Sequence, residues 1–190
     1  GDIHLAARNN DANQFANFIN DVNSYMSANS STKFYGLTLG DLAWDQYWIP
    51  NGYDLTNYMK DIAKVNAPVF NTIGNHDHEQ AASGDFNTVA VYKKVVCPTY
   101  YSFNIGKIHY VSIDDIECTN NGTGSRTYNT KVVNEVLDWL AKDIAMIGKD
   151  TPVVISMHSP VYNETGTNRL TNSPTMLSIL DGRMTHIMSG

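Results

Sequence analysis

An α/β domain built on a mixed sheet is the fold class that the sequence predicts, and three observations predict it. Helical and extended hydrophobic periods alternate along residues 11–75. A strand–turn–strand pattern follows from Tyr100, and several apolar runs stop abruptly at Gly-Asp, Gly-Asn or Met-His pairs. Strand–helix–strand units followed by a hairpin suit a sheet with both parallel and antiparallel neighbours.

The elements follow in order. Phe15, Phe18, Ile19, Val22, Tyr25 and Met26 recur at helical spacing, which predicts an amphipathic helix over Asp11–Ala28. Residues 34–39 read as a buried strand ending at Gly40-Asp41. Leu55, Tyr58, Met59 and Ile62 form a second helical stripe, and 68–73 is the next strand, ending at Gly74-Asn75. Y-Y-S-F-N-I, then G-K, then I-H-Y-V-S-I-D, predicts a hairpin turning at Gly106-Lys107. Residues 117–128 read as a polar loop rich in Gly, Asn and Thr. Val132, Val133, Val136, Leu137, Leu140 and Ile144 predict a third helix. A strand over 152–156 runs into Met157-His158, a short helix follows at 174–180, and a last strand occupies 184–188.

At 190 residues the chain fits one domain with a sizeable core, and 42% hydrophobic residues are ordinary for a globular protein. Thirteen Lys and Arg against nineteen Asp and Glu give a net charge of −6, which argues against a long nucleic-acid partner. A phosphate-bearing substrate stays open, because bound metals reverse the local sign. Cys97 and Cys118 lack the spacing of a zinc knuckle; one disulfide and two free buried thiols both remain open. No run of 18 or more apolar residues occurs, so no membrane span is expected. Few Lys and abundant Asn and Tyr lean towards an exported protein.

Ligand-type residues fall at the predicted strand ends: Asp41, Asn75 and His158. Asp2 and His4 stand two apart at the start of the chain, and i, i+2 residues of an extended segment point the same way. Sites in α/β sheets form outside the carboxyl ends of strands. The stretch G-N-H-D-H-E adds His76, Asp77, His78 and Glu79 to one such end. D-I-H (Asp2, His4), G-D-L-A-W-D (Asp41, Asp45), G-N-H-D (Gly74, Asn75, His76, Asp77) and S-M-H (His158) come in one order along the chain. In that order and rough spacing they resemble the calcineurin-like metallophosphoesterases. The hairpin and the L-D-W-L-A-K-D-I segment look like that family's too, so the resemblance covers nearly the whole chain.

The resemblance implies a four-layer α-β-β-α sandwich of two mixed sheets flanked by helices, forming a single catalytic core over 1–190. The family's last motif is G-H-x-H, whereas the sequence stops at M-S-G; the family also has a strand before D-x-H, where only Gly1 stands. A longer parent chain with flanking domains, and His-x-His following Gly190, is therefore expected. The family pattern implies two metal ions sharing Asp41, one carboxylate oxygen for each. Asp2 and His4 would serve the first, Asn75 (through its amide oxygen) and His158 the second. Mixed nitrogen and oxygen ligands without thiolate suit Mn, Fe or Zn.

A metal-bridging hydroxide would then hydrolyse a small phosphorylated substrate. His76 would act as general acid or steady the transition-state charge, and Asp77 would hold its ring in one tautomer. Trp44 and His78 are candidate substrate contacts, and Asp45 a candidate outer hydrogen-bond partner. Trp44, with Tyr47, Trp48 and Tyr53, could line the cleft or merely pack a loop. Trp44 also stands where the related purple acid phosphatases carry tyrosine in G-D-x-x-Y, so no iron-tyrosinate colour is expected. His109 and His186 read as core or edge histidines. Two other readings remain: a protein-interaction scaffold on the same fold, which would predict damaged ligands, and a nuclease or nucleotide phosphodiesterase, which the acidic balance disfavours for long substrates.

Overall fold

The computed structural model describes residues 1–5, 10–44 and 52–190. Its elements in chain order are helix α1 (Asp11–Ala28), strand β1 (Gly36–Leu37), helix α2 (Leu55–Ile62), strand β2 (Val69–Phe70), and a 3-10 turn at Asn75–Asp77. Helices α3 (Asp85–Thr88) and α4 (Ala90–Val95) follow, then strands β3 (Tyr101–Ile105), β4 (Ile108–Ser112), β5 (Ile116–Cys118) and β6 (Tyr128–Thr130). Helix α5 (Asn134–Ala145), strand β7 (Val153–Met157), helix α6 (Ser173–Ile179) and strand β8 (Thr185–Ser189) complete the chain.

Two apolar cores divide the described helices. Phe15 and Ile19 of α1, Leu55, Tyr58 and Ile62 of α2, and Tyr92 of α4 enclose Leu5, Leu42, Ala43 and Ile73. On the other side Val136, Leu137, Leu140 and Ile144 of α5 and Met176 of α6 pack on Val111, Val153, Ile155 and Met157. Two sheets meet between these layers. The Phe70 ring of β2 stacks on Phe103 of β3 at 3.7 Å, and Thr72 Oγ1 bonds Ser112 Oγ at 3.0 Å and Ser156 Oγ at 3.1 Å. The layers thus run helix, sheet, sheet, helix, the α/β sandwich expected.

The larger sheet has the order β3-β4-β7-β8. Its first pair is antiparallel and the other two are parallel, so it is mixed. The predicted hairpin is present, with Phe103 opposite Tyr110 and the turn at Gly106. The other sheet is the parallel pair β1-β2, in the register Gly36↔Val69 and Leu37↔Phe70. It is much shorter than the apolar runs 34–39 and 68–73. Gly40 (φ 86°) and Asp41 (φ 55°) turn the chain out of the extended region after β1. After β2 the Asn71 carbonyl leaves the ladder and accepts instead from Tyr101 Oη at 2.9 Å.

Local chemistry explains the helix boundaries. The Asp54 side chain accepts from the amides of Thr56 and Asn57 and so caps α2. Helix α5 begins after Val132 and Val133, although both fit its stripe. Asn172 holds Val132 outside the helix by accepting from its amide (3.1 Å) and donating to its carbonyl (2.7 Å). On α1 only Phe15, Ile19 and Met26 of the stripe are buried; Phe18 and Tyr25 are exposed beside it. Helices α3 and α4 and the antiparallel ribbon β5-β6 were not anticipated, and the ribbon brackets the polar loop read over 117–128. Three-residue strands are too short to show a period. Cys97 and Cys118 are both free thiols. No helix among the described residues is long and apolar enough to cross a membrane.

Candidate functional site

Four chain segments converge beyond the strand ends: the start of the chain, the Gly40-Asp41 turn, the 3-10 turn, and His158 just after β7. They wall a cleft of about 290 Å³. Of the five described non-glycine residues with positive φ, four line it: Asp2, His4, Asp41 and Asn168. Backbone held in this unfavourable region concentrates at functional sites. Asp2 (φ 51°) and His4 (φ 46°) are therefore not in the extended chain expected of them. Their side chains reach the centre all the same, because the His4 amide donates to the Asp41 carbonyl at 2.8 Å and fastens the segment to the turn.

Glycine makes that convergence possible. A Cβ on Gly40 would lie 2.7 Å from His158 Nδ1 and 2.8 Å from Gly74 Cα. A Cβ on Gly74 would overlap the carboxylate and amide of Asp41. Each turn can approach the other only where both residues lack a side chain.

Asp41, 1% exposed, is the hub. Its Oδ2 lies 2.7 Å from His4 Nε2 and 3.4 Å from His158 Nε2. Its Oδ1 accepts from the His76 amide at 2.8 Å. Asn75 Oδ1 is 2.9 Å from His158 Nε2. One carboxylate oxygen each of Asp2 and Asp41 and one ring nitrogen of His158 lie within 4.8 Å of one another. The same holds for His4, Asp41 and His76. Five expected residues, Asp2, His4, Asp41, Asn75 and His158, are thus brought together. The grouping differs from the expected division, since Asp2 falls with His158. The expected use of one Asp41 oxygen for each ion also changes: Oδ2 faces both imidazoles, while Oδ1 is occupied by an amide.

Burial pushes the Asp41 carboxyl up, but the His4 hydrogen bond, the His158 charge and the His76 amide outweigh it and pull it down to about 2. His158 Nδ1 donates to the Leu39 carbonyl at 2.9 Å, which turns Nε2 towards Asn75 and Asp41, where it becomes a metal donor once its proton is displaced. A carbonyl on the far nitrogen commonly fixes a metal-binding imidazole in this way. Two imidazole nitrogens, two carboxylates and an amide oxygen facing one volume fit Mn, Fe or Zn.

Two buried carboxylates hold the ligand loops. Asp77 accepts from the amides of Asp41 (2.8 Å), Leu42 (2.9 Å) and Gly74 (2.8 Å). Both its oxygens serve the backbone, which replaces the expected role of orienting the His76 ring. Burial, then the Asp41 charge, push its carboxyl up to about 7 against the pull of those amides. Asp115 does the same for the other loop, accepting from the amides of His158 (2.9 Å) and Ser159 (2.6 Å). Sequence reasoning passed over Asp115; its one signal was a second carboxylate directly after an apolar strand.

The His76 ring meets Arg126 instead. Arg126 Nη1 donates to His76 Nδ1, and Nη2 reaches the His78 carbonyl at 3.4 Å. Burial pulls the His76 imidazole down, outweighing the upward pull of the Asp41 and Asp77 charges. A guanidinium on Nδ1 leaves the ring proton on Nε2. Trp44 stacks on His76 at 4.2 Å and meets His4 edge-on at 4.8 Å. It supports both imidazoles and is not among the residues that line the cleft.

His78 does not reach the cleft either. It is fully buried, with Nδ1 on Thr88 Oγ1 at 3.0 Å, which corrects its expected role as a substrate contact. Asp45, Tyr47 and Trp48 lie outside the described residues. His109 is a buried strand histidine, its ring nitrogens meeting Asn104 Oδ1 and Asp143 Oδ2. A family model for calcineurin-like phosphoesterases matches residues 1–190. No curated protein matches the chain.

Proposed function

The chain belongs to the calcineurin-like phosphoesterase family, a family of metal-dependent phosphoester hydrolases, and from that premise we propose that it hydrolyses a small phosphate ester at a dinuclear metal centre in the Asp41 cleft. One observation carries this reading: Asp41 Oδ2 faces His4 and His158 together, with the Asn75 amide oxygen on the same nitrogen of His158. Asp41 would be shared by the two ions, with Asp2, His4, Asn75 and His158 as the other residues of this chain that would hold them. When bound, such ions neutralise phosphoryl charge and acidify a water that serves as nucleophile.

The chain's own residues do the rest. Asp77 and Asp115 hold the two ligand loops by their amides, so the donors are placed before any ion arrives. His76, neutral with its proton on Nε2, donates a hydrogen bond to the oxygen on which charge develops. Of its two expected roles, the Arg126 contact favours charge stabilisation over proton donation. A cleft of about 290 Å³ and a net charge of −6 suit a small ester better than a polynucleotide.

Metal analysis and a panel of phosphomonoesters, diesters and nucleotides test the reading. Asp41→Ala should lose bound metal and activity together; retention of full metal content would remove Asp41 as the bridge. His76→Ala should keep its metals and lose roughly 10²–10³ in kcat. An unchanged rate would take His76 out of the mechanism.

A further inference from the structure

A second cluster of metal-type donors lies away from the cleft. His78, Asp85 and Cys118 each offer one ligand atom within 4.8 Å of the others. His78 is 0% and Cys118 3% exposed. Asp114 Oδ1 stands 3.6 Å from His78 Nε2, too far for a hydrogen bond. His78 Nε2 is fully buried and has no hydrogen-bond partner. None of these four residues takes part in the centre described above.

Hydrogen-bond accounting gives the direction of the ring. The single hydroxyl proton of Thr88 goes to the Asp85 carbonyl at 2.7 Å. Thr88 Oγ1 therefore accepts from His78, and Nδ1 carries the ring proton. In the neutral ring Nε2 then points a lone pair at a carboxylate, with a second carboxylate and a thiol beside it. Such a set calls for a positive charge, and an unshared lone pair on the fully buried His78 ring is costly. The Asp114 and Cys118 contacts pull the imidazole well above its usual range despite the opposing effect of burial, another sign of the same demand. An oxygen acceptor on Nδ1 that fixes the tautomer while Nε2 faces the ligand set is how proteins orient a metal-binding histidine, and Thr88 Oγ1 takes that place here.

We propose that His78, Asp85, Asp114 and Cys118 form a half-buried site for one thiophilic divalent cation of the zinc class. Imidazole, thiolate and carboxylate are zinc's usual ligands, whereas a thiolate discriminates against magnesium and calcium. The ion would join four segments: the residue after the 3-10 turn, the start of α3, the chain beyond β4, and the end of β5. It would fasten the β5-β6 ribbon, whose connecting loop carries Arg126, to the chain just beyond His76. Binding releases the Cys118 thiol proton to solvent as the metal–sulfur bond forms.

Cobalt(II) is the probe for the test, because a sulfur-to-cobalt charge-transfer band in the near ultraviolet requires thiolate ligation. The cleft ligands contain no sulfur, so loading the cleft cannot produce it. The chain titrated with cobalt should develop the band, and zinc should bleach it. The band should persist in Cys97→Ser, where Cys118 is the one remaining cysteine. It should also persist in Asp41→Asn, which separates this site from the cleft, and vanish in Cys118→Ser. Absence of the band in unmodified protein at saturating cobalt, or its loss in Cys97→Ser, would overturn the proposal. So would nitrogen NMR of zinc-treated protein showing both His78 ring nitrogens protonated, since that describes an imidazolium–Asp114 pair.

Discussion

Arg126 comes to His76 from 50 residues away in sequence. No spacing rule could have linked them, since the contact depends on how the β5-β6 ribbon folds over the 3-10 turn. Asp77 is the opposite case. It stands inside a legible motif, but its carboxylate serves three backbone amides, and a sequence does not show which amides will lie nearby. The convergence of Asp41, Asn75 and His158 was readable because strand-end Asp, Asn and His are few and chemically distinct. The groups that orient those ligands were not. Arg126→Ala should therefore lower kcat by about 10–100-fold, the usual effect of removing a group that orients a site residue. Metal content should not change, and Arg126→Lys should recover part of the rate by restoring a donor to Nδ1. Loss of metal along with activity would place Arg126 in the metal centre and contradict its assignment to His76.

The elements read best from sequence were those whose information is local. Helix α1 and the β3-β4 hairpin carry their period, or their Gly106 turn, within one stretch of chain. Strands β1 and β2 were overestimated because an apolar run does not reveal where pairing stops. It stops after Leu37, with Thr38 making the last amide bond to Phe70, and the positive-φ turn at Gly40-Asp41 then carries Asp41 into the cleft. Gly74 faces that turn with φ in the ordinary range, so its requirement is closeness, not conformation. Gly74→Ala tests this. Its Cβ must displace the Asp41 turn, so metal affinity should fall by about 10–100-fold while circular dichroism stays native. Gly106, which has positive φ but open space around its Cβ position at the hairpin turn, serves as the control. Gly106→Ala should cost stability only, at the level of a strained backbone, and leave metal affinity untouched. Equal metal loss in both variants would mean that the Gly74 effect is not specific to the site.

Across the whole molecule the centre depends on how the two sheets sit against each other. Asp41 and Asn75 follow β1 and β2 of one sheet, and His158 follows β7 of the other. Thr72, 1% exposed, is a buried polar tie between them, beside the Tyr101–Asn71 and His158–Leu39 contacts. Its hydroxyl donates to Ser156 and accepts from Ser112, while Ser156 donates to the Val111 carbonyl at 3.3 Å. Thr72→Val keeps the shape and removes the tie, stranding the Ser112 hydroxyl. The expected cost is about 1–3 kcal/mol, the desolvation penalty of a buried polar group left without its partner. For a chain of this size each kcal/mol lowers Tm by about 2–4 °C. If Thr72 also sets sheet alignment, metal affinity should weaken in the same variant, although Thr72 is not a ligand. Adding Ser112→Ala removes the stranded hydroxyl and should recover part of the Tm, since an apolar pair of similar shape is tolerated. It should not recover metal affinity, because the tie stays broken. A triple variant with Ser156→Ala that regained both would show that the seam contributes stability alone, and that the sheets hold Asp41 and His158 in place by their apolar cores.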